Sequence, residues 1–159
     1  MTDPAFALTF VAALGCALAA GVFFAFSTFV MTGLDRGSPA TAVSAMQGIN
    51  RAAPGPPLMA VLFGTAALCL AVAVVALLGE AGTAGGLAAV GSAAYLIGVV
   101  GVTMACNVPL NERIDEVDAE GPAAPAEWSH YERRWRAWNH VRTLSGLAAT
   151  AGMIAALAA

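Results

Sequence analysis

The stretch Trp135-Arg-Ala-Trp-Asn-His-Val-Arg142 joins a charged, aromatic-rich segment to an apolar tail that ends at Ala159. If this region is an α-helix, one of its faces carries a set of residues that fall within about 50° of one line. They are Trp128, Tyr131, Trp135, Trp138, Asn139, Arg142, Gly146 and Ala149. His140 falls roughly 150° from that line. The helix is therefore expected to direct the asparagine and the arginine to one side and the histidine to another.

The whole chain is far more apolar than an ordinary soluble domain. Of its 159 residues, 59% are hydrophobic and 11% are charged. A helix needs about 20 apolar residues to cross the hydrocarbon core of a membrane. Four stretches meet or approach that length: residues 6–31, 58–78, 87–106 and 138–159. The sequence therefore predicts an all-α fold, a single transmembrane domain built as an integral membrane four-helix bundle.

The first stretch is expected to span the membrane and not to be cleaved as a signal peptide. It carries Asp3, lacks a basic leader and is longer than the core of a signal peptide. Small residues recur every three or four positions in the first and third stretches, and such spacing lets helices approach closely in lipid. We expect this close packing at Ala12, Gly15, Ala19, Gly91, Ala94, Gly98 and Gly101.

The distribution of arginine predicts the orientation of the chain. All seven basic residues are arginines, and all lie in or just beyond the first and third loops, whereas the second loop has Glu80 as its one charge. Because cytoplasmic loops carry an excess of arginine and lysine, the first and third loops are predicted to face the cytoplasm. We therefore expect a multi-pass protein of the cell membrane with both termini on the non-cytoplasmic side.

A short helix is predicted in the first loop, over residues 39–53. Ser38 can cap its first turn, Pro39 suits the first helical position, and Pro54-Gly-Pro-Pro57 ends it. The helix is too short to cross the membrane, so we expect it to lie at the interface with Asn50 and Arg51 directed toward the bundle. The alternative is a solvated interfacial helix whose arginine contacts lipid phosphate.

Polar residues follow the third span at a spacing of four: Thr103, Asn107 and Asn111. Pro109 lacks the N–H that would bond to the carbonyl of Ala105, and it disfavours helical backbone at Val108. We expect the freed carbonyl and the two carboxamides to cluster at the cytoplasmic rim. Alternatively, the asparagines only cap the helix end. The acidic residues 112–125 are expected to form a solvated loop before the fourth helix.

Aromatic and charged residues converge on the same end of the predicted bundle. Phe26 shares a helix face with Phe23 and Ser27, which favours an apolar pocket there, although a lipid-facing position is an equal alternative. Arg142 precedes an uninterrupted apolar tail and lies on the aromatic stripe. An ionisable group at that depth normally faces the interior of the bundle or extends back to the interface.

The chain has none of the motifs typical of soluble enzymes. It lacks a glycine-rich phosphate loop, a G-x-S-x-G elbow, an H-x-x-x-H pair and a CxxC pair. No cofactor is evident, since His130 and His140 are too few and too far apart along the helix to form a bis-histidine site alone. A haem or metal site is nevertheless left open. Cys16, Cys69 and Cys106 lie one in each of three spans and are interpreted as small hydrophobic residues.

Four motifs occur in order along the chain: Phe24-Ala-Phe-Ser-Thr-Phe-Val-Met31, Ile49-Asn-Arg51, Asn107-x-Pro-x-Asn111 and Trp135-x-x-Trp-Asn-His-x-Arg142. Together they resemble the small four-span membrane proteins of the anthrone oxygenase family, and the resemblance covers nearly the whole chain. It implies O2-dependent oxidation of a flat, apolar, phenolic ring system without a cofactor motif. The implied partners are membrane lipid and a hydrophobic small molecule. No nucleic acid is expected, and a homo-oligomer is left open.

Such chemistry needs a base for an acidic ring proton, donors for the resulting enolate oxygen and an apolar slot that excludes water. The resemblance therefore suggests roles for the polar residues. The catalytic candidates are Arg142, Asn139 and Asn50 as oxyanion donors, with His140 as a base that lies off the stripe. The substrate-binding candidates are Trp135, Trp138, Asn107, Asn111, Arg51 and Phe26.

Two other classes of function remain open from the sequence. The same arginine and asparagines suit a non-catalytic membrane protein that binds a lipid headgroup, a quinone or a haem-like molecule. They also suit a purely structural hydrogen-bond network that joins helix ends.

Overall fold

The computed structural model describes residues 4–79 and 82–159. Asp3 and Glu80, which entered the interpretation of the first stretch and of the second loop, lie outside these ranges. All regular secondary structure within them is helical, which confirms the all-α fold. The helices, labelled in chain order, are α1 (Pro4–Asp35), α2 (Pro39–Ala52), α3 (Pro56–Leu78), α4 (Thr83–Asp115) and α5 (Ala124–Ala158).

The four long helices form an antiparallel bundle, and each is long and apolar enough to cross a membrane. The chain is therefore a multi-pass membrane protein. Helix α5 occupies the centre, since it packs extensively against both α1 and α4, while α3 packs against α1 and α4. Large apolar side chains cover the outside of the bundle, as lipid contact requires. Examples are Leu14, Leu78, Ile97 and Leu144.

Small residues bring α4 and α5 into backbone contact, as predicted for Gly91, whereas Gly101 is exposed and has no other helix within 4 Å of its Cβ position. A Cβ atom at Gly91 would lie 3.0 Å from the carbonyl oxygen of Ala149, and one at Gly152 would lie 3.0 Å from the Cα atom of Gly91. Helix α5 approaches α1 in the same manner, because a Cβ at Gly146 would lie 3.0 Å from the Cβ of Ala20. Close van der Waals packing of this kind replaces the hydrophobic effect as the source of helix association in lipid.

Helix α2 begins and ends close to its predicted boundaries and packs against the ends of the long helices. Its N-cap is Ser38, whose Oγ accepts a hydrogen bond of 3.2 Å from the backbone N–H of Thr41. Val43 and Met46 are fully buried against α1, α4 and α5. Gln47 Nε2 donates to two carbonyl oxygens where α4 ends, those of Ile114 and Val117, at 2.9 and 2.8 Å.

The end of α4 differs from the sequence prediction. The backbone at Val108 is helical, and α4 continues through Pro109 to Asp115, so the expected loop over residues 112–125 is shorter. Pro109 is accommodated because it lies in the first turn of the α-helical segment Val108–Asp115, where a missing N–H costs little. The helices extend past the predicted membrane spans, whose boundaries stay predictions.

Candidate functional site

A buried polar group lies where α1, α4 and α5 meet, and Asn139 is at its centre. Asn139 has no exposed surface. Its Nδ2 donates to the carbonyl oxygen of Phe23 and to Oγ of Ser27, both at 2.7 Å. Ser27 Oγ also lies 3.1 Å from Oγ1 of Thr143, which donates to the backbone carbonyl of Asn139. Asn139 thus joins α5 to α1, because its side-chain N–H groups bond to Phe23 and Ser27 of α1.

Arg142 completes this group, which we call the arginine cluster: Ser27, Thr103, Asn139, Arg142 and Thr143. Its side chain is 5% exposed. Nη2 donates to Oδ1 of Asn139 at 2.7 Å, and Nη1 donates to Oγ1 of Thr103 at 3.3 Å. The guanidinium carbon lies 4.4 Å from the ring centre of Phe23 and 5.0 Å from that of Trp135. The cation is therefore enclosed by amide, hydroxyl and aromatic groups.

No carboxylate neutralises Arg142 within the described residues, where the ion pairs join Arg113 to Glu127 and Arg136 to Glu132. The Nε–H of Arg142 is buried without a hydrogen-bond partner there. Burial of a charge without a counter-charge is costly, more so at membrane depth. A cation kept under these conditions is well suited to receive an anionic ligand.

A second group, the aromatic cluster, lies directly beyond the arginine cluster toward α2: Phe26, Trp128, Tyr131 and Trp135. The ring centres of Tyr131 and Trp135 are 6.2 Å apart, and those of Phe26 and Trp135 are 5.7 Å apart. Asn111 connects the cluster to α4, because its Oδ1 accepts from Tyr131 Oη at 3.0 Å and from Trp135 Nε1 at 2.8 Å. The result is an apolar wall in which the polar atoms of Tyr131 and Trp135 face α4.

Asn107 lies between the two clusters. Its side chain is 1% exposed, and Nδ2 donates to the carbonyl oxygen of Trp135 at 3.2 Å. Its Oδ1 is buried without a donor among the described residues. An unpaired acceptor and the unpaired Nε–H of Arg142 thus both lie beside Trp135. Buried polar atoms without partners are rare in folded proteins, and each is a candidate contact for a ligand.

Two π-helical turns carry the residues that α1 and α4 contribute to this region. One covers Phe26–Val30 and contains Ser27; the other covers Thr103–Asn107 and contains Thr103 and Asn107. Further π-helical segments cover Ala60–Gly64 and Ala94–Gly101, outside the arginine cluster. A π-turn inserts one residue into the helical repeat and rotates the following side chains. Such turns are frequent at functional sites.

At the outer end, side chains of α2 and of the last residues of α1 and α4 close the aromatic cluster. Asn50 Nδ2 donates to Oδ1 of Asp115 at 3.0 Å, and Trp128 Nε1 donates to Oδ1 of Asp35 at 3.0 Å. Asn50 therefore reaches the same end of the bundle, as predicted, but its partner is the carboxylate of Asp115. Carboxylates thus lie at the mouth of the site, whereas the cation lies deep inside it.

The structure groups some of the predicted site residues and separates others. Asn50, Asn107, Asn111, Trp135, Asn139, Arg142 and Phe26 lie in or beside the two clusters. Arg51 and His140 are exposed, and Trp138 is 38% exposed on the outer side of α5. His140 therefore faces away from Arg142, as helical periodicity predicts. The predicted roles of all of these residues stay predictions.

The sequence indicates only part of what these residues do in the site. Phe23 and Ser27 are predicted to share a helix face beside an apolar pocket, but no local pattern reveals that they bond to Asn139 of α5. Thr143 carries no such signal, because its contact depends on the rotation of α1 against α5. Asp115, predicted to lie in a solvated loop, is the last residue of α4 and continues the spacing of four that begins at Thr103. Extending that periodicity past Pro109 puts Asp115 on one helix face with Asn107 and Asn111, but it does not identify Asn50 as its partner.

Neither a candidate metal-binding group nor either of two cavities coincides with the arginine cluster. Across residues 4–79 and 82–159, no three His, Cys, Asp or Glu side chains come together as a candidate metal group. A cavity of about 230 Å³ lies at the opposite end of the bundle, between Leu8, Val72 and Ala88. Another, of about 400 Å³, lies where α4 and α5 are joined, beside Arg113 and Glu127. The arginine cluster is filled by its own side chains, so a bound ligand would displace some of them.

Comparison with known protein families gives a match over most of the bundle. A family model described as anthrone oxygenase matches residues 58–152, which is more than half of the chain and includes α4 together with most of α3 and α5. The matched region carries Asn107, Trp135, Asn139 and Arg142. Comparisons with curated proteins and with solved structures found no match.

Proposed function

Because the chain belongs to the anthrone oxygenase family, we propose that it oxidises a flat, apolar, phenolic substrate of the anthrone type with O2. The overall change converts a ring methylene group to a ring carbonyl group, with O2 supplying the carbonyl oxygen and leaving its second oxygen atom as water. A base first removes one methylene proton. The carbanion adds to O2, the resulting peroxide anion takes up a proton, and the ring hydroperoxide loses water to give the ketone.

The proposed site is the arginine cluster with the adjoining aromatic cluster. Deprotonation of an anthrone places negative charge on its carbonyl oxygen as an enolate, and Arg142 supplies a buried cation for that charge. Preorganised donors in a water-excluded site are among the largest contributions to catalysis. The observation that carries the proposal is a buried guanidinium with an unpaired Nε–H and no carboxylate partner among the described residues.

The neighbouring residues receive roles that follow from their contacts. Asn139 orients Arg142 through the 2.7 Å bond to Nη2, and Trp135 with Phe26 provides rings on which a planar substrate can stack. Asn107 offers an unpaired acceptor to a phenolic hydroxyl. Asn50 and Asn111 act by positioning, since their side chains are bonded to Asp115 and to the aromatic cluster.

His140 is a poor general base for a substrate in this position, because it is exposed on the other side of α5. Arg51 and Trp138 are likewise outside the site, and contact with lipid at the interface suits both of them.

O2 is the one co-substrate that the reaction requires, and we propose no further cofactor. The arginine distribution supports placing the site at the cytoplasmic end of the bundle.

The direct test uses purified protein in lipid nanodiscs with 1,8-dihydroxyanthrone as the probe. O2 uptake and quinone absorbance are followed together, and the spontaneous rate in empty nanodiscs is subtracted. We expect wild-type protein to exceed the background and Arg142→Gln to lower kcat/KM by about 100-fold or more. Arg134→Gln, on an exposed position of the same helix, serves as the control and should stay within about twofold of wild type. Wild-type turnover equal to the background would overturn the proposal.

A structural network is the second candidate, because the described contacts of Asn139 pair both ends of its amide within the protein. Under that alternative, every polar variant lowers thermal stability, and no anthrone turnover is found. Co-purified lipid, quinone or haem, detected by absorption spectra and mass spectrometry, would instead favour a binding protein. The same preparation therefore separates the three functions.

A further inference from the structure

Cys16 and Cys69 face each other in the centre of the bundle, away from the arginine cluster. Cys16 is on α1 and Cys69 is on α3, and their Sγ atoms are 3.7 Å apart. Both side chains have no exposed surface. Nothing separates the two sulfurs, since this distance is that of direct contact. We propose that this pair is a redox-modification site at which a disulfide joins α1 to α3.

The geometry requires only a local adjustment. A disulfide bond is about 2.05 Å long, so the sulfurs, now 3.7 Å apart, must approach by about 1.7 Å. The surrounding core combines small residues, such as Ala12 and Ala13, with large ones, such as Leu62 and Tyr95. We propose that rotation of the two cysteine side chains closes the gap. Helices α1 and α3 already pack against each other, so no helix has to move to a new partner.

The apolar surroundings favour a disulfide over a metal site. A disulfide is neutral, as are the two thiols that form it, whereas a metal site would need two thiolates and further ligands. Across the described residues, no third His, Cys, Asp or Glu side chain joins the pair as a candidate metal group. One of the two thiols donates a hydrogen bond to the other sulfur. The thiol that attacks the oxidant gives up its proton in that step.

Burial determines the class of oxidant. Water-soluble thiols and disulfides have no path to a fully buried pair in lipid, but an apolar organic hydroperoxide dissolves in the membrane. One thiol attacks the peroxide to give a sulfenic acid and an alcohol, and the second thiol then displaces water. In balance, two thiols and one hydroperoxide give one disulfide, one alcohol and one water, with the two thiols oxidised and the peroxide bond reduced.

The test uses folded, reduced protein in nanodiscs, from which the reductant has been removed, treated with cumene hydroperoxide. Trypsin then cuts after Arg36 and Arg51, which lie between the two cysteines in sequence. We expect the fragments that carry Cys16 and Cys69 to stay joined without reductant and to separate with it. The intact mass should fall by about 2 Da, which is the loss of two hydrogen atoms.

Variants identify the partners and measure the consequence. Cys106→Ser should still form the link, whereas Cys16→Ser and Cys69→Ser should each abolish it. The disulfide should raise Tm by roughly 5–10 °C, because it closes a long loop in the unfolded chain. Fragments that separate without reductant, a link that requires Cys106, or a mass increase from bound metal would each overturn the proposal. None of these readouts depends on anthrone oxidation.

Discussion

Arg142 and Asn139 lie one helical turn apart on α5, and the carboxamide oxygen of Asn139 accepts a 2.7 Å hydrogen bond from Nη2 of Arg142. The nitrogen of the same carboxamide donates to the backbone of Phe23 and to Ser27. Asn139 therefore stabilises the contact between two helices and orients the cation at the same time. We therefore expect substitutions of Arg142 and of Asn139 to affect stability and activity to different extents.

Replacement of Arg142 and of Asn139 should affect stability to different extents. We expect Arg142→Met to change the unfolding free energy by less than about 1 kcal/mol, because removal of an uncompensated buried charge offsets the lost hydrogen bonds. Asn139→Ala should cost about 2–4 kcal/mol, since it leaves buried groups on α1 and Arg142 unpaired. Denaturant or thermal unfolding in detergent measures both. A loss above about 3 kcal/mol in Arg142→Met would indicate a structural arginine.

His140 should be dispensable. Because it is exposed on the far side of α5 from the arginine cluster, we expect His140→Ala to reduce anthrone turnover less than Arg142→Ala or Asn139→Ala. Its kcat/KM should stay within about threefold of wild type. The pH profile of the variant should match that of wild type. Complete loss of activity in His140→Ala would contradict the assignment of the reacting groups to the opposite face.

Ser27 should contribute more to stability than its neighbour Thr28. Ser27 is buried, accepts from Asn139 and contacts Thr143, so Ser27→Ala should cost about 1–3 kcal/mol. Thr28 is exposed and bonds to carbonyl oxygens of its own helix, so Thr28→Ala should cost less than about 0.5 kcal/mol. Parallel unfolding curves of the two variants provide the measurement. Equal losses of unfolding free energy in the two variants would show that Ser27 does not stabilise the contact between α1 and α5.

The close approach of α4 and α5 predicts a difference between two glycines of α4. A Cβ at Gly91 would lie 3.0 Å from the carbonyl oxygen of Ala149 and 3.3 Å from the N atom of Met153, both backbone atoms. Gly91→Ala should therefore cost about 1–3 kcal/mol through overpacking. A Cβ at Gly86 would have nothing within 4 Å, so Gly86→Ala should be neutral or stabilising. A thermal shift assay in which Gly86→Ala loses more stability than Gly91→Ala would exclude this packing.

The termini are predicted to lie outside the cytoplasm. A periplasmic-type reporter enzyme fused after Ala159 should be active, and a fluorescent protein that folds only in the cytoplasm should be dark at the same position. Fusions within the loop at residues 116–123 should give the opposite pair of results. Reversal of both pairs would place the arginine-rich loops outside, against the charge rule, and would move the proposed site to the other side of the membrane.

Much of this arrangement follows from helical periodicity. A single wheel for α5 places Asn139 and Arg142 on its buried face and His140 on its exposed one, because a straight helix repeats regularly over its whole length. Trp138 and Asn139 lie at opposite edges of the same wheel, yet Trp138 is exposed and Asn139 is fully buried. At an edge position, the burial depends on the neighbouring helix, so the sequence of α5 alone could not decide it.

The contacts between helices could not be predicted in the same way. Ser27 and Thr103 lie in π-helical turns, where the wheel of a regular α-helix loses its phase. Arg51 is exposed because the rotation of α2 is set by Val43 and Met46, whose burial turns the arginine outward. The sequence therefore predicts which side chains share a helix face, but not which faces meet.

Helix α4 is not a regular α-helix along its middle: π-helical segments cover Ala94–Gly101 and Thr103–Asn107, and the α-helix resumes at Val108. One residue added to or removed from a helix turns the part that follows by about 100°. Deletion of one residue within Thr103–Asn107 would therefore rotate Asn111 and Asp115 away from Trp135 and Asn50, whereas the contact of Gly91 with α5, which precedes the deletion, would be unchanged. The number of residues between Gly91 and Asn111 thus sets how the lipid-embedded part of the protein is aligned with its polar end.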